Sequence, residues 1–131
     1  MEEDRLKEIT EQWKLKADRD LKLVEKELNT EEPLTDILCF HCQQAVEKYL
    51  KTYLISQCVK PPKTHDIAIL LEECKKHDLA FSSLSDVSYL TAYSVEIRYP
   101  DDFYIPEKSE LFEAYKKAIR VKEFVLMRIK E

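Results

Sequence analysis

At 131 residues, with 44% hydrophobic and 36% charged side chains, the chain is long enough to bury a core and too apolar to stay disordered. Its formal net charge of −5 disfavours broad, nonspecific nucleic-acid binding, which needs a basic surface to release counterions, but leaves room for one local basic patch. Glycine is absent, which excludes Gly-rich phosphate loops and dinucleotide fingerprints and removes the usual source of positive-φ hairpin turns.

The apolar runs are too short for a transmembrane helix. The start, Met-Glu-Glu-Asp-Arg, is acidic and lacks the basic, apolar pattern of a signal peptide, so a cytoplasmic protein is expected. There is no repeat and no compositional break, which predicts a single domain over residues 1–131.

The first predicted helix runs from about Asp4 to Leu28, because Leu6, Ile9, Trp13, Ala17, Leu21, Val24 and Leu28 step by three or four. Glu32-Pro33 marks its boundary. The second helix runs from Pro33 or Thr35 to Ser56. Its broad stripe of Leu38, Cys42, Ala45, Val46, Tyr49, Leu50, Tyr53 and Leu54 makes it the most buried element. Lys60-Pro61-Pro62-Lys63 forces an extended link. Thr64 then reads as the N-cap of a third helix, with Asp66 in its first turn and Ile67, Leu70, Leu71 and Cys74 facing inward. Ser82, Ser83 and Ser85 offer caps for a fourth α-helix. Val87, Leu90, Thr91, Ser94 and Ile97 step along one side of it, and Tyr89 and Tyr93 lie on another. Apolar character on two sides predicts contact with both the core and a partner subunit. Pro100 stops this helix, and Pro106 starts a fifth, with Leu111, Tyr115, Ala118, Ile119, Val125, Leu126 and Ile129 inward. The expected fold is all-α, an up-and-down bundle of about five helices.

Three segments are polar where a plain structural helix would not need it: His41-Cys42-Gln43-Gln44-Ala45-Val46-Glu47-Lys48-Tyr49-Leu50-Lys51, Lys63-Thr64-His65-Asp66-Ile67, and Ile97-Arg98-Tyr99-Pro100-Asp101. Their order and spacing resemble the HEPN family, small helical domains named for nucleotide binding. Trp13, Ala17, Asp20 and Leu21 look like that family's first helix, and Ala114 and Ala118 like its last. The resemblance implies the same helical fold, usually as a homodimer. In HEPN ribonucleases an Arg followed a few residues later by His forms a metal-independent site between two subunits. The His moves the proton of a 2′-hydroxyl and the Arg stabilises phosphate charge. Here Arg98 is followed by Tyr99-Pro100-Asp101 and then by Asp-Phe-Tyr-Ile, with no His. The Arg-Tyr-Pro form resembles the branch encoded beside minimal nucleotidyltransferases, where the ribonuclease motif is often incomplete.

Several side chains are candidates for phosphate contact. Arg98 carries a planar fork suited to phosphate, though at a helix end it can also cap carbonyls. Tyr99 adjoins it. His65 follows Thr64 at a helix start, where unpaired N–H groups favour an anion, and the same residues also read as a helix start only. His41, Gln44, Lys48 and Lys51 fall on one helical face that is solvated, pairs with Arg98, or lines a groove. Glu47 reads as the buried partner of a Lys or Arg. The basic residues near the C-terminus read as a solvated face, and His77 as a dipole cap. Cys39 and Cys42 have zinc-like spacing, but they lie inside a helical run and Cys58 and Cys74 form no second pair. Buried thiols are therefore expected, with no metal and no cofactor.

These observations predict a HEPN homodimer that binds a nucleotide or RNA phosphate near Arg98 and acts with a nucleotidyltransferase, as in a toxin–antitoxin pair. No catalytic residue is assigned, and a non-enzyme is expected. The first alternative is a metal-independent endoribonuclease with an altered Arg98/His65 site. The second is a non-catalytic helical module that binds a partner protein.

Overall fold

The computed structural model describes residues 2–94 and 104–129. Among these the chain forms α1 (Glu2–Glu27), α2 (Thr35–Ser56), α3 (Ile67–Lys75), a 3₁₀ helix (Leu79–Tyr93) and α4 (Lys108–Ile129), with no strand. None of the described helices is long and apolar enough to cross a membrane.

Side-chain pairs fix the directions of the legs. Lys48 donates to Asp20 and the Tyr49 hydroxyl to Asp18, so α1 and α2 are antiparallel. Near the start of α2 the Thr35 hydroxyl donates to the Pro106 carbonyl at 2.7 Å. At the other end Ser56 and Ile129 line one cavity, so α4 runs parallel to α2. The 3₁₀ helix returns antiparallel to α4, with Asp78 on Arg128, Asp86 on Lys117 and Arg120, and Tyr93 on Glu110. The bundle is all-α, as the apolar spacing predicts; its long legs α1, α2, the 3₁₀ helix and α4 alternate up and down, and the short α3 lies parallel to α2.

The central leg is α2, which packs against α1, α3, the 3₁₀ helix and α4. Leu38, Cys39, Cys42, Ala45, Val46, Tyr49, Leu50, Tyr53 and Leu54 are all buried. Its C-terminus closes with a Schellman arrangement. The N–H of Val59 donates to the Leu54 carbonyl and that of Cys58 to the Ile55 carbonyl, both at 2.9 Å. Cys58 takes the left-handed position, with φ 62°, because the chain has no glycine to put there. The other three cysteines are buried. Burial pushes the Cys42 thiol far up and the Cys74 thiol to about 12, so both behave as small apolar side chains. Ala17, Leu21 and Val24 on α1 and Leu28 just past its end are buried as expected, whereas Leu6, Ile9 and Trp13 are only half-buried. Leu6 and Ile9 line a cavity with Cys58, which lies beyond the last residue of α2, so the first turns of α1 run past their partner.

Three local expectations are corrected. Asp66, not Thr64, caps α3, accepting from the Ala68 N–H at 2.9 Å, while the Thr64 hydroxyl accepts from Asp66 N–H. Asp78 caps the fourth element, accepting from Ala80 N–H. The Ser83 hydroxyl instead donates to the Ala80 carbonyl within the helix, and Ser82 and Ser85 likewise lie inside it. The fourth element is 3₁₀ rather than α, and Tyr93 is buried, so Tyr89 alone is the exposed tyrosine on this helix.

The reason for the 3₁₀ form lies in length and pattern. Phe81, Leu84, Val87, Leu90 and Tyr93 are buried at a strict spacing of three, the repeat of a 3₁₀ helix. Fifteen residues at a 3₁₀ rise span about 30 Å, near the roughly 33 Å of the 22-residue α4, whereas an α-helix of that length would reach only about 22 Å. The return leg is short of residues, and the extended helix covers the distance.

Two outcomes follow for this seam. Leu90→Ala should lower stability by about 2–5 kcal/mol in urea unfolding, while Ser88→Ala should change it by less than about 0.5 kcal/mol. An α-helical frame from Phe81 would bring position 88 inward and reverse that order. Asp78, held down by the Ala80 N–H and then Arg128, Asp86 by Arg120, and Glu110 by the Glu107 N–H, all lie below their ordinary values of 3.8, 3.8 and 4.5. Each adds stability above its unfolded value and loses it as pH falls through the lower folded value. Thermal melts of Asp86→Asn should therefore lie below wild type at neutral pH and converge with it as the pH falls through the lowered folded value.

Candidate functional site

Because α2 is enclosed by neighbours, any polar side chain on it must find a partner or reach a gap. Two carboxylates organise the gap between α1, α2 and the approach to α3. Glu47 on α2 is 4% exposed. It accepts from Gln43 Nε2 at 2.8 Å, from Lys51 Nζ at 3.2 Å, and from His65 Nδ1 at 3.1 Å on both oxygens. Gln43, fully buried, donates also to the His65 carbonyl at 3.2 Å and accepts from Gln44 at 2.8 Å. Asp20 on α1 accepts from His41 Nδ1 at 2.8 Å and from Lys48 Nζ at 2.7 Å. Lys51 also lies 5.9 Å from the centre of the Trp13 ring.

The outcome is a stripe of His41, Gln44, Lys48 and Lys51 about 15 Å long, with a carboxylate holding each cationic group from below. His65 sits at its side, half-exposed, tied to the stripe by Glu47. An ammonium group has three N–H donors, so a lysine bonded to one carboxylate retains donors for a ligand. The charges of the two lysines are matched by those of the two carboxylates. The face therefore offers fixed donors rather than a strong positive field, in keeping with the chain's negative net charge.

The expected site residues divide into three groups. His41, Gln44, Lys48, Lys51 and His65 come together in this network, and Glu47 is the buried partner that the spacing predicted. Thr64 adjoins the network but spends its hydroxyl on the turn before α3. Arg98 and Tyr99 lie outside the described residues. Two members were missed as site residues, Asp20 and Gln43. Their signal was a polar side chain on a buried face: Asp20 falls between Ala17 and Val24, and Gln43 between Cys42 and Val46. Among the described residues, no cluster of His, Cys, Asp and Glu is placed to hold a metal ion.

The fold and this face define an all-α bundle whose central helix carries a carboxylate-anchored polar stripe. The chain belongs to the HEPN family: the HEPN domain model matches residues 10–129. It is similar to the crystal structure of an archaeal HEPN homologue, with a TM-score of 0.74 and 25% identity, covering 92% of this chain and 98% of the other. No curated protein matches it.

Glu47→Ala should cost about 3–5 kcal/mol of stability, since it leaves Lys51, His65 and the buried Gln43 amide without their shared acceptor. Lys48→Ala should cost only about 1 kcal/mol, because Asp20 keeps His41. Chemical denaturation of both variants checks the order.

Proposed function

We propose that this HEPN chain binds a nucleotide or RNA phosphate and acts with a nucleotidyltransferase, as half of a toxin–antitoxin pair. In this reading residues 1–131 are one domain of a cytoplasmic homodimer. The observation that carries the binding surface is the fixed stripe of His41, Lys48 and Lys51, with His65 beside it, on buried Asp20 and Glu47. Nothing in ordinary bundle packing requires four cation-capable side chains at one gap. Arg98 is proposed as the fork that completes phosphate contact, with Tyr99 next to it in the chain and Thr64 next to His65.

A second reading is an altered, metal-independent endoribonuclease. It is favoured by His65, whose Nδ1 rests on the buried Glu47 carboxylate, since a carboxylate that orients an imidazole is a usual feature of a general base. RNA cleavage that persists in EDTA and is lost in His65→Ala is the result this reading requires.

Titration calorimetry with ATP and with a short single-stranded RNA tests the binding proposal. Arg98→Ala should weaken binding about tenfold to a hundredfold, the equivalent of about 1.5–3 kcal/mol for a hydrogen bond to a charged group, with the fold intact. Arg98→Lys should restore part of it, because the charge returns without the fork. Lys48→Ala should weaken binding severalfold. Unchanged affinity with a lowered melting temperature in Arg98→Ala would remove this residue from the site.

A further inference from the structure

A second cavity, of about 430 Å³, opens where the 3₁₀ helix ends and α4 begins. Its walls include Tyr89, Tyr93, Tyr104, Glu110 and Glu113, and no lysine or arginine lines it among the described residues. That volume lies within the range of small-ligand pockets, roughly 300–1,000 Å³. The rings of Tyr89 and Tyr93 stand 6.4 Å apart at 70°, so they form a corner of two aromatic walls.

The acidic side of the cavity is built in advance. Glu110 accepts from the Tyr93 hydroxyl and the Tyr104 hydroxyl, each at 3.1 Å, and from the Glu107 N–H at 3.0 Å. Both phenols spend their protons on this carboxylate, which leaves their rings as walls. The same contacts hold the Glu110 carboxyl below its usual range, so it is charged at neutral pH. Glu113 pairs with Lys116 at 3.9 Å on the outer side of α4 and, at 3.7 Å, with Lys117, which also reaches Asp86 of the 3₁₀ helix. Such exposed pairs are weak and leave the carboxylate available. Burial, then the Glu113 charge, pushes the Tyr89 phenol up. Burial does the same for Tyr93, with Glu110 among the charges that add to it. Among the described residues, the walls therefore oppose a further negative charge.

We propose that this cavity binds an organic ammonium ion carrying N–H groups, of the polyamine class. The aromatic faces attract the cation, and Glu110 and Glu113 accept its N–H bonds. A quaternary ammonium would gain the first interaction without the second. This site is separate from the phosphate-binding face and does not depend on that reading.

The test uses the full chain, freed of nucleic acid, titrated with spermidine, with tetramethylammonium chloride and with sodium chloride at matched ionic strength. Amide chemical shifts and calorimetry report the binding. Spermidine should bind saturably and at least about fivefold tighter than tetramethylammonium, with shifts centred on residues 89–93 and 109–113. Tyr89→Ala should weaken it about tenfold and Tyr89→Phe by less than about twofold, since Phe keeps the ring. Glu113→Gln should weaken it severalfold, with circular dichroism unchanged in all three. No binding in the wild-type chain, the same shifts from sodium chloride alone, tetramethylammonium as the tighter ligand, or an unchanged affinity in Tyr89→Ala would each overturn the proposal.

Discussion

A carboxylate in the middle of the most buried helix must be satisfied, and Glu47 is that group. Removing an acidic side chain from water costs several kcal/mol unless partners restore its hydrogen bonds. Lys51 supplies one partner from the next turn of α2, and Gln43 supplies another from the turn before. His65 supplies the third, and it comes from another part of the chain. Its backbone carbonyl is also held, by Gln43, so the approach to α3 is fixed to α2 at two points. The placement of α3 in turn sets the 3₁₀ helix, because the Thr91 hydroxyl accepts from the Ile67 N–H at the start of α3. One buried acid thus connects the central helix to the hairpin that follows it.

The sequence pattern made the four α-helices legible, since each carries an apolar stripe at helical spacing that the structure buries. The fourth element misled for a physical reason. A spacing of three fits part of an α-helical stripe, and only the persistence of Phe81, Leu84, Val87, Leu90 and Tyr93 through five steps distinguishes a 3₁₀ helix. Intrinsic rules also count against a 3₁₀ run of this length. The need to span the bundle with few residues is a tertiary demand, invisible to any local window. Caps failed in the same way. Thr64 and Asp66 are both good capping residues, and the choice depends on where the Pro61-Pro62 link delivers the chain.

For the polar face, spacing alone placed His41, Gln44, Lys48 and Lys51 together, and a buried partner of a Lys or Arg was one of two readings open to Glu47. It did not show that Lys48 would turn away from Glu47 to Asp20, because that pairing depends on how α1 lies across α2. Asp20 and Gln43 were readable only as anomalies, polar residues on stripes that should be apolar. Such anomalies are informative here: each proved to be an organising member of the network rather than a tolerated defect.

The polar stripe and the tyrosine-lined cavity have opposite chemistry, and α2 and α4 relate them. The Thr35 hydroxyl fixes the start of α2 to the Pro106 carbonyl just ahead of α4. Glu110, in the first turn of α4, binds Tyr93 on one side and Tyr104 on the other. Tyr93 closes the 3₁₀ helix and Tyr104 stands just ahead of α4, so one carboxylate anchors both places. Any ligand that changes the bonding of Glu110 acts on those anchors. A cation that drew Glu110 toward itself would compete with the two phenols, while one seated between the rings would reinforce them. A ligand in the cavity would therefore act, through a single side chain, on the end of the 3₁₀ helix and on the approach to α4. The sign of that effect is set by whether the bound cation shares Glu110 with the tyrosines or takes it from them.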